Sequence, residues 1–158
     1  IWSSLVGSEM CIRDRYGPYG RPDMSILRFI HWIINEEKVK VFGNGEQQRS
    51  FTYIKDVVDA LRRMSGLENS HTFNVGSNIT VSLNEVIKLI EEFSGKNANI
   101  ENLERAYKDP DVVRPNLEKI NEAIGWEPTT KIQEGIEKTV SWYKENEDYL
   151  KDLVYVNE

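Results

Sequence analysis

Two arginines stand where a cation could do more than face water. Arg49 lies between a glycine turn, Gly43-Asn44-Gly45, and the strand-like run Ser50–Ile54. A guanidinium held there can meet two phosphate oxygens in a fork. A solvated surface arginine is the plain alternative. Arg21 follows a Gly-Pro-rich turn and precedes a helix. A cation is mildly unfavourable at a helix start, which weakens its reading as an ordinary first-turn charge. Gly43-x-Gly45 does not make a dinucleotide fingerprint. The third glycine is replaced by Gln48, and a strand-like run comes next where a phosphate cradle needs a helix N-terminus. His31 and His71 lack companions at metal-ligand spacing and read as structural or solvated.

The elements that must position these residues alternate between helices and short strands. Arg21-Pro22-Asp23 predicts a helix start, with Pro22 suited to its first turn and an apolar stripe of Met24, Leu27, Ile30 and Ile34 running to about Asn35. Val39 and Val41 alternate along the strand Lys38–Phe42. Phe51 and Tyr53 share a face of Ser50–Ile54, and Asp56 is placed to cap a helix reaching about Ser65. Thr72–Val75 predicts a short strand, and Ser82-Leu83-Asn84-Glu85 is a capping box opening a helix that stops at Gly95. Ala98–Glu101 reads as a strand and residues 102–115 as a loop. Asn116–Ile124 is a short helix ended by Gly125. A second capping box, Thr130 with Gln133, opens a last helix from about Lys131 to Leu150.

The 158 residues suffice for one domain with its own core, and the composition is that of an ordinary globular chain. A net charge of -6 argues against a general nucleic-acid binder, which would carry a basic face. No apolar run approaches bilayer length, so no membrane span is expected. The single cysteine, Cys11, cannot form an intramolecular disulfide, and the default compartment is cytoplasmic. Residues 1–15 show no periodicity that continues into the rest of the chain. Their SLVGSEMCIRDR run resembles translated read-through of a sequencing adapter, and the segment is expected to be foreign, a natural flexible terminus being the alternative.

From Tyr16 onward, blocks recur in a familiar order. Tyr16–Met24 resembles the YGPxGRPDM segment of extended short-chain dehydrogenases/reductases acting on nucleotide sugars. Phe42–Val58 resembles their FGDGxxxRDFTYVDDVV block, and Phe73–Ser77 their FNxGS strand end. Gly125-Trp126-Glu127-Pro128 with Glu134-Gly135-Ile136 resembles the LGWxPxxxxxEGI pair, and Trp142-Tyr143 the WY of the last helix. The resemblance is to the NAD-dependent epimerase/dehydratase family, nearest its UDP-glucuronate 4-epimerase-like members. It implies an α/β fold: the C-terminal substrate-binding lobe, residues 16–150, mostly helices with short strands. The Rossmann lobe would be largely absent, and residues 151–158 would form a tail.

The resemblance also implies roles. Arg49 would contact the nucleotide diphosphate, and Phe42 would pack the base. Arg21 would lie near the carboxylate of a uronic acid, as a buried arginine facing a carboxylate could. Asp111, matching the aspartate of a GDV segment, would bind ribose hydroxyls, and Lys108 would add a second cation near the phosphates. After Asp111 the pattern departs, Arg114-Pro115-Asn116 replacing the usual Thr-x-Ala-Asp, so the ribose contacts are the weakest part of the match. No tyrosine here has a lysine four positions later, so the family's catalytic Tyr-x-x-x-Lys pair is missing and no catalytic residue is expected in this chain. NAD would be bound by the missing lobe, and the intact enzyme would be a homodimer. The expected activity is oxidation–reduction at the sugar ring of a UDP-sugar, 4-epimerisation first. Decarboxylation of UDP-glucuronate, 4,6-dehydration and a stand-alone, non-catalytic nucleotide-sugar binding module are the alternatives.

Overall fold

The computed structural model describes residues 14–104 and 110–150. The architecture is α/β with short strands and a helical core, as the C-terminal lobe reading requires. The helices are α1 (Ser25–Ile34), α2 (Ile54–Met64), α3 (Leu83–Ser94), α4 (Glu118–Ile124), α5 (Ile132–Glu145) and α6 (Glu147–Leu150). The strands are β1 (Arg15–Tyr16), β2 (Lys38–Phe42), β3 (Gln48–Arg49), β4 (Thr52–Tyr53), β5 (Val81–Ser82), β6 (Asn99–Leu103) and β7 (Val112–Val113). Among the described residues they form three small sheets. β1 and β4 pair in parallel, as do β2 and β6, while β3 lies between antiparallel β5 and parallel β7.

The main core gathers α1, α3 and α5 over β2. Helix α1 buries Ile26, Leu27, Phe29, Ile30, Trp32, Ile33 and Ile34, far more than one stripe. A helix apolar nearly all round belongs inside a domain, and α1 packs against both α3 and β2. Each fully buried Ile or Trp contributes roughly 1.5–3 kcal/mol of apolar transfer. A second, smaller cluster joins Ala60 of α2 to Ile120 of α4 and Trp126, with Phe73 and Val75 packed against it.

Several predicted elements hold. β2 spans Lys38–Phe42, the Ser82–Glu85 capping box forms in both directions, and α3 and α4 end on left-handed Gly95 and Gly125. Others differ for identifiable reasons. Helix α1 starts at Ser25 rather than Arg21, because Met24 N–H donates to the Arg21 carbonyl at 3.1 Å and closes a turn. Pro22 takes the second turn position, which its fixed φ suits as well as a helix start. Ser50–Ile54 is not one strand: only Thr52–Tyr53 pairs, and Ser50, Phe51, Thr52 and Tyr53 are all buried, so no open face exists. Asp56 lies inside the first turn of α2, not at its cap.

The run Thr72–Val75 is assigned to no strand. Phe73 and Val75 face the small cluster while Thr72 and Asn74 are exposed, so strand alternation is kept, but no ladder partner occurs among the described residues. Residues 102–115 are not all loop, since β6 reaches Leu103 and β7 pairs with β3. Thr130 and Gln133 make no capping box; Lys131 is the N-cap of α5, without a side-chain cap bond, and the Thr130 hydroxyl donates to Asp56 instead. The last helix breaks at Asn146, after which α6 buries Leu150. Of the segment expected to be foreign, Asp14 and Arg15 join the β1–β4 edge, with Thr52 N–H donating to the Asp14 carbonyl at 2.9 Å. Such ladder bonds use backbone alone, so they are indifferent to which residue stands there. The rest of that segment and residues 151–158 lie outside the described residues.

Candidate functional site

The site is built at the C-terminal end of β2. That strand enters the core through Val39 and Val41 and emerges at Phe42, a residue 42 % exposed. Gly43 and Gly45 then turn the chain with φ of 84° and 76°, values that favour glycine. Gly43 N–H donates to the Leu103 carbonyl at 2.8 Å, extending the β2–β6 ladder into the turn. Buried Gln47 donates its side-chain amide back to the Phe42 carbonyl at 2.9 Å, closing the loop on its own stem. Arg49 therefore leaves the loop on β3, whose backbone position is fixed on both edges.

The parallel β3–β7 register sets Arg49 opposite Val113 and Gln48 opposite Val112. Gln48 N–H donates to the Asp111 carbonyl at 2.8 Å, and Arg49 Nη1 donates to the carbonyls of Gln48 and Pro110 at 2.8 and 2.9 Å. Arg49 and exposed Asp111 are thus brought together from distant parts of the chain, while Phe42 stands at the start of the loop that leads to Arg49. Lys108 lies outside the described residues. Burial pushes the Asp14 carboxyl above its usual range, with the charge of nearby Arg49 opposing it.

Arg21 is placed differently. Its guanidinium is exposed and grips Asp23 in a fork, Nε to Oδ1 at 3.0 Å and Nη2 to Oδ2 at 2.6 Å. No described hydrogen bond or ion pair links it to Arg49 or Asp111. In this chain Arg21 is exposed, in the turn Arg21–Met24 that precedes α1. An exposed pair of this kind contributes about 0–1 kcal/mol, so a ligand carboxylate could displace Asp23 at small cost.

Tyr16 is buried against Phe51 and Tyr53. Burial above all, then Tyr53, Asp56 and Glu134, pushes its phenol far above the ordinary tyrosine value, so it stays protonated and serves as packing. A Cβ at Gly135 of α5 would collide with the Tyr16 hydroxyl, which accounts for a glycine inside that helix. Asp56, read in the sequence only as a cap, accepts hydrogen bonds from the Thr129 hydroxyl, the Thr130 N–H and the Thr130 hydroxyl, each at 3.1 Å. Asn84 was legible only as part of a capping box, yet it holds the glycine turn. No local signal could have revealed this, since its partners lie about forty residues away.

An open groove of about 520 Å³ lies elsewhere, lined by Asn78, Arg114, Asn116, Glu118, Asn121 and Glu127 with three apolar neighbours. None of Arg21, Phe42, Arg49 or Asp111 borders it, so its size does not count against the β2–β3 site. Among the described residues no three His, Cys, Asp or Glu come together as a metal site, and no helix is long and apolar enough to cross a membrane. The glycine turn runs into β3 and not into a helix, so it does not fit the pyrophosphate of NAD.

A family model described as GDP-mannose 4,6 dehydratase matches residues 8–139. A UDP-glucuronate 4-epimerase from Thermodesulfobacterium geofontis is 39% identical over 139 residues, covering 87% of this chain and 43% of the relative. UDP-glucuronic acid decarboxylase 2 of Arabidopsis thaliana is 31% identical over 142 residues, covering 90% of this chain and 30% of the relative. Among solved structures, MoeE5 in complex with UDP-glucuronic acid and NAD superposes with a TM-score of 0.79 at 29% identity, over 84% of this chain and 45% of that one. UDP-glucuronic acid 4-epimerase from Bacillus cereus, in complex with UDP-glucuronic acid and NAD, gives 0.77 at 27% identity, over 83% of this chain and 43% of that one. The chain spans less than half the length of these relatives. With its order of helices, its short strands and its glycine turn leading into Arg49, the chain belongs to the GDP-mannose 4,6-dehydratase family, within the extended short-chain dehydrogenases/reductases that include NAD-dependent nucleotide-sugar epimerases and dehydratases.

Proposed function

We propose that this lobe holds the nucleoside diphosphate of a UDP-sugar while an NAD-dependent enzyme, of which the chain is the C-terminal part, oxidises and reduces the sugar ring. The observation that carries the reading is the β3–β7 pairing, which brings Arg49 beside Pro110 and Asp111, with exposed Phe42 at the start of the loop that leads to Arg49. A cation, an acceptor and an apolar flat surface are what pyrophosphate, ribose and base require, in that order. Lys108 is the second cation in this reading. The charge of Arg49 is held by two backbone carbonyls, so its direction is set before a ligand arrives. NAD and the proton-transfer pair belong to the part of the protein outside this chain, and the functional unit is a homodimer.

The favoured reaction is 4-epimerisation of UDP-glucuronate. The T. geofontis and B. cereus relatives carry that activity in their names, and Arg21 is a guanidinium already engaged with a carboxylate, Asp23. Decarboxylation is the second reading, supported by the Arabidopsis relative. Arg49→Ala in the full-length protein tests the binding role. Losing a charge-assisted contact costs about 1.5–3 kcal/mol, so UDP affinity should fall roughly 10- to 100-fold, with a shallower salt dependence. Unchanged affinity would overturn the reading. The product formed from UDP-glucuronate separates the two reactions, an epimeric uronate marking one and released carbon dioxide the other.

A further inference from the structure

The loop between Phe42 and Arg49 is closed on its stem by Gln47 and is also held from outside its own sequence. Its apex sits on the N-terminal turn of α3, and one side chain there makes the junction. Asn84 Nδ2 donates to the Asn44 carbonyl at 3.0 Å and to Glu46 Oε1 at 2.8 Å. The Asn84 backbone N–H, which a helix start leaves without an intrahelical partner, donates to the Gly45 carbonyl at 3.2 Å. Gly45 lies so close that a Cβ on it would run into the Asn84 side-chain amide. Three consecutive residues of the glycine turn are thereby tied to one asparagine.

Neighbouring contacts repeat the same connection. Thr80 Oγ1 donates to Gln48 Oε1 at 2.8 Å, and β5, immediately before α3, pairs with β3 at Arg49 and Gln48. Helix α3 is itself anchored, with Val86, Ile87 and Ile90 fully buried against α1 and α5. A rigid helix thus fixes the loop that separates Phe42 from Arg49.

We infer that Asn84 is a positioning residue for the nucleotide site: it clamps the Gly43–Glu46 turn so that the ring of Phe42 and the guanidinium of Arg49 stay at the spacing a nucleoside diphosphate needs. The inference rests on the nucleotide-sugar reading proposed for this lobe. Asn84 itself contacts no ligand. Its effect passes through the turn, and a loop that must be ordered on binding lowers affinity without altering a contact.

The test compares Asn84→Ala, Glu46→Ala and Arg49→Ala in the full-length protein, with UDP as probe. Calorimetry gives the affinities for UDP and for NAD, and hydrogen exchange tracks the amides of Gly43, Gly45 and Glu46 against those of Val86–Ile90. Asn84→Ala should weaken UDP about tenfold, leave NAD within about twofold and keep the wild-type salt dependence, since Arg49 is intact. Exchange should quicken in the turn and stay slow in α3. Glu46→Ala removes one acceptor without touching the helix; it should give a smaller loss, about two- to fourfold, and decides the matter if Asn84→Ala does not fold. Wild-type UDP affinity in Asn84→Ala or Glu46→Ala, with a large loss in Arg49→Ala, overturns the clamp and leaves the nucleotide reading standing. Wild-type affinity in all three removes both. Parallel loss of UDP, NAD and α3 protection in Asn84→Ala would show a role in helix stability alone and also overturns the clamp.

Discussion

Replacing Asp56 by alanine should unfasten α2 from the start of α5. Asp56 is 5 % exposed, and its carboxylate accepts three hydrogen bonds from Thr129 and Thr130. Thr129 is exposed, so its hydroxyl can turn to water and its share is small. The two bonds from half-buried Thr130 are charge-assisted, at about 1.5–3 kcal/mol each before the desolvation of the carboxylate is recovered. The recovery is partial, which leaves a net loss of about 2 kcal/mol. In urea, with a slope of about 2 kcal/mol per molar for a domain of this size, the unfolding midpoint should drop by about 1 M. Asp56→Asn should cost about half as much: its carbonyl oxygen still accepts from a threonine hydroxyl, while its amide nitrogen meets the Thr130 N–H donor to donor. Combining Asp56→Ala with Thr130→Val should be sub-additive by about 1 kcal/mol. A midpoint shift under about 0.2 M for Asp56→Ala, or strict additivity with Thr130→Val, would refute the idea that this carboxylate fastens the two helices.

Packing and titration supply two more tests. Gly135→Ala places a methyl against the Tyr16 hydroxyl; it should destabilise by about 1–3 kcal/mol despite alanine's better helix propensity, and Tyr16→Phe should restore part of the loss in thermal unfolding. His31 is bonded through Nδ1 to the Tyr143 hydroxyl at 2.7 Å and lies 3.5 Å from Glu37; burial pushes its pKa below the usual value, with Glu37 opposing. The unfolded chain therefore takes up this proton first. Stability contributed by His31 is full above about pH 6.5, declines as pH falls and levels off below the folded-state pKa; His31→Gln should flatten that part of a stability–pH curve, and an unchanged curve would contradict it.

Local chemistry made much of the lobe legible. The alternation of Val39 and Val41, the Ser82–Glu85 capping box and the stops at Gly95 and Gly125 are each decided within a few residues, and each appears as read. Arg49 stood out beside the glycine turn, a local feature, but its phosphate role and the base-packing role of Phe42 came from the family resemblance of the surrounding block. The failures share one cause. Pro22 suits a turn and a helix start alike, and only the Met24–Arg21 hydrogen bond chose between them. Thr130 had two partners to choose from, Gln133 nearby and Asp56 seventy-four residues away, and the distant carboxylate won because it is charged and already buried.

The residues alone determined which groups carry charge, where the chain turns and which helices begin and end. Tertiary structure decided what those groups meet: Arg49 beside Pro110 and Asp111 through a two-residue parallel ladder, and Asn84 on the glycine turn. Strand pairing and side-chain bonding across forty to seventy residues depend on how the whole chain closes, and no periodicity encodes that closure. Thr72–Val75 marks the boundary between the two. Its alternation is written in the sequence and kept in the fold, but a strand needs a neighbour to complete its hydrogen bonds, and none stands beside it among the described residues.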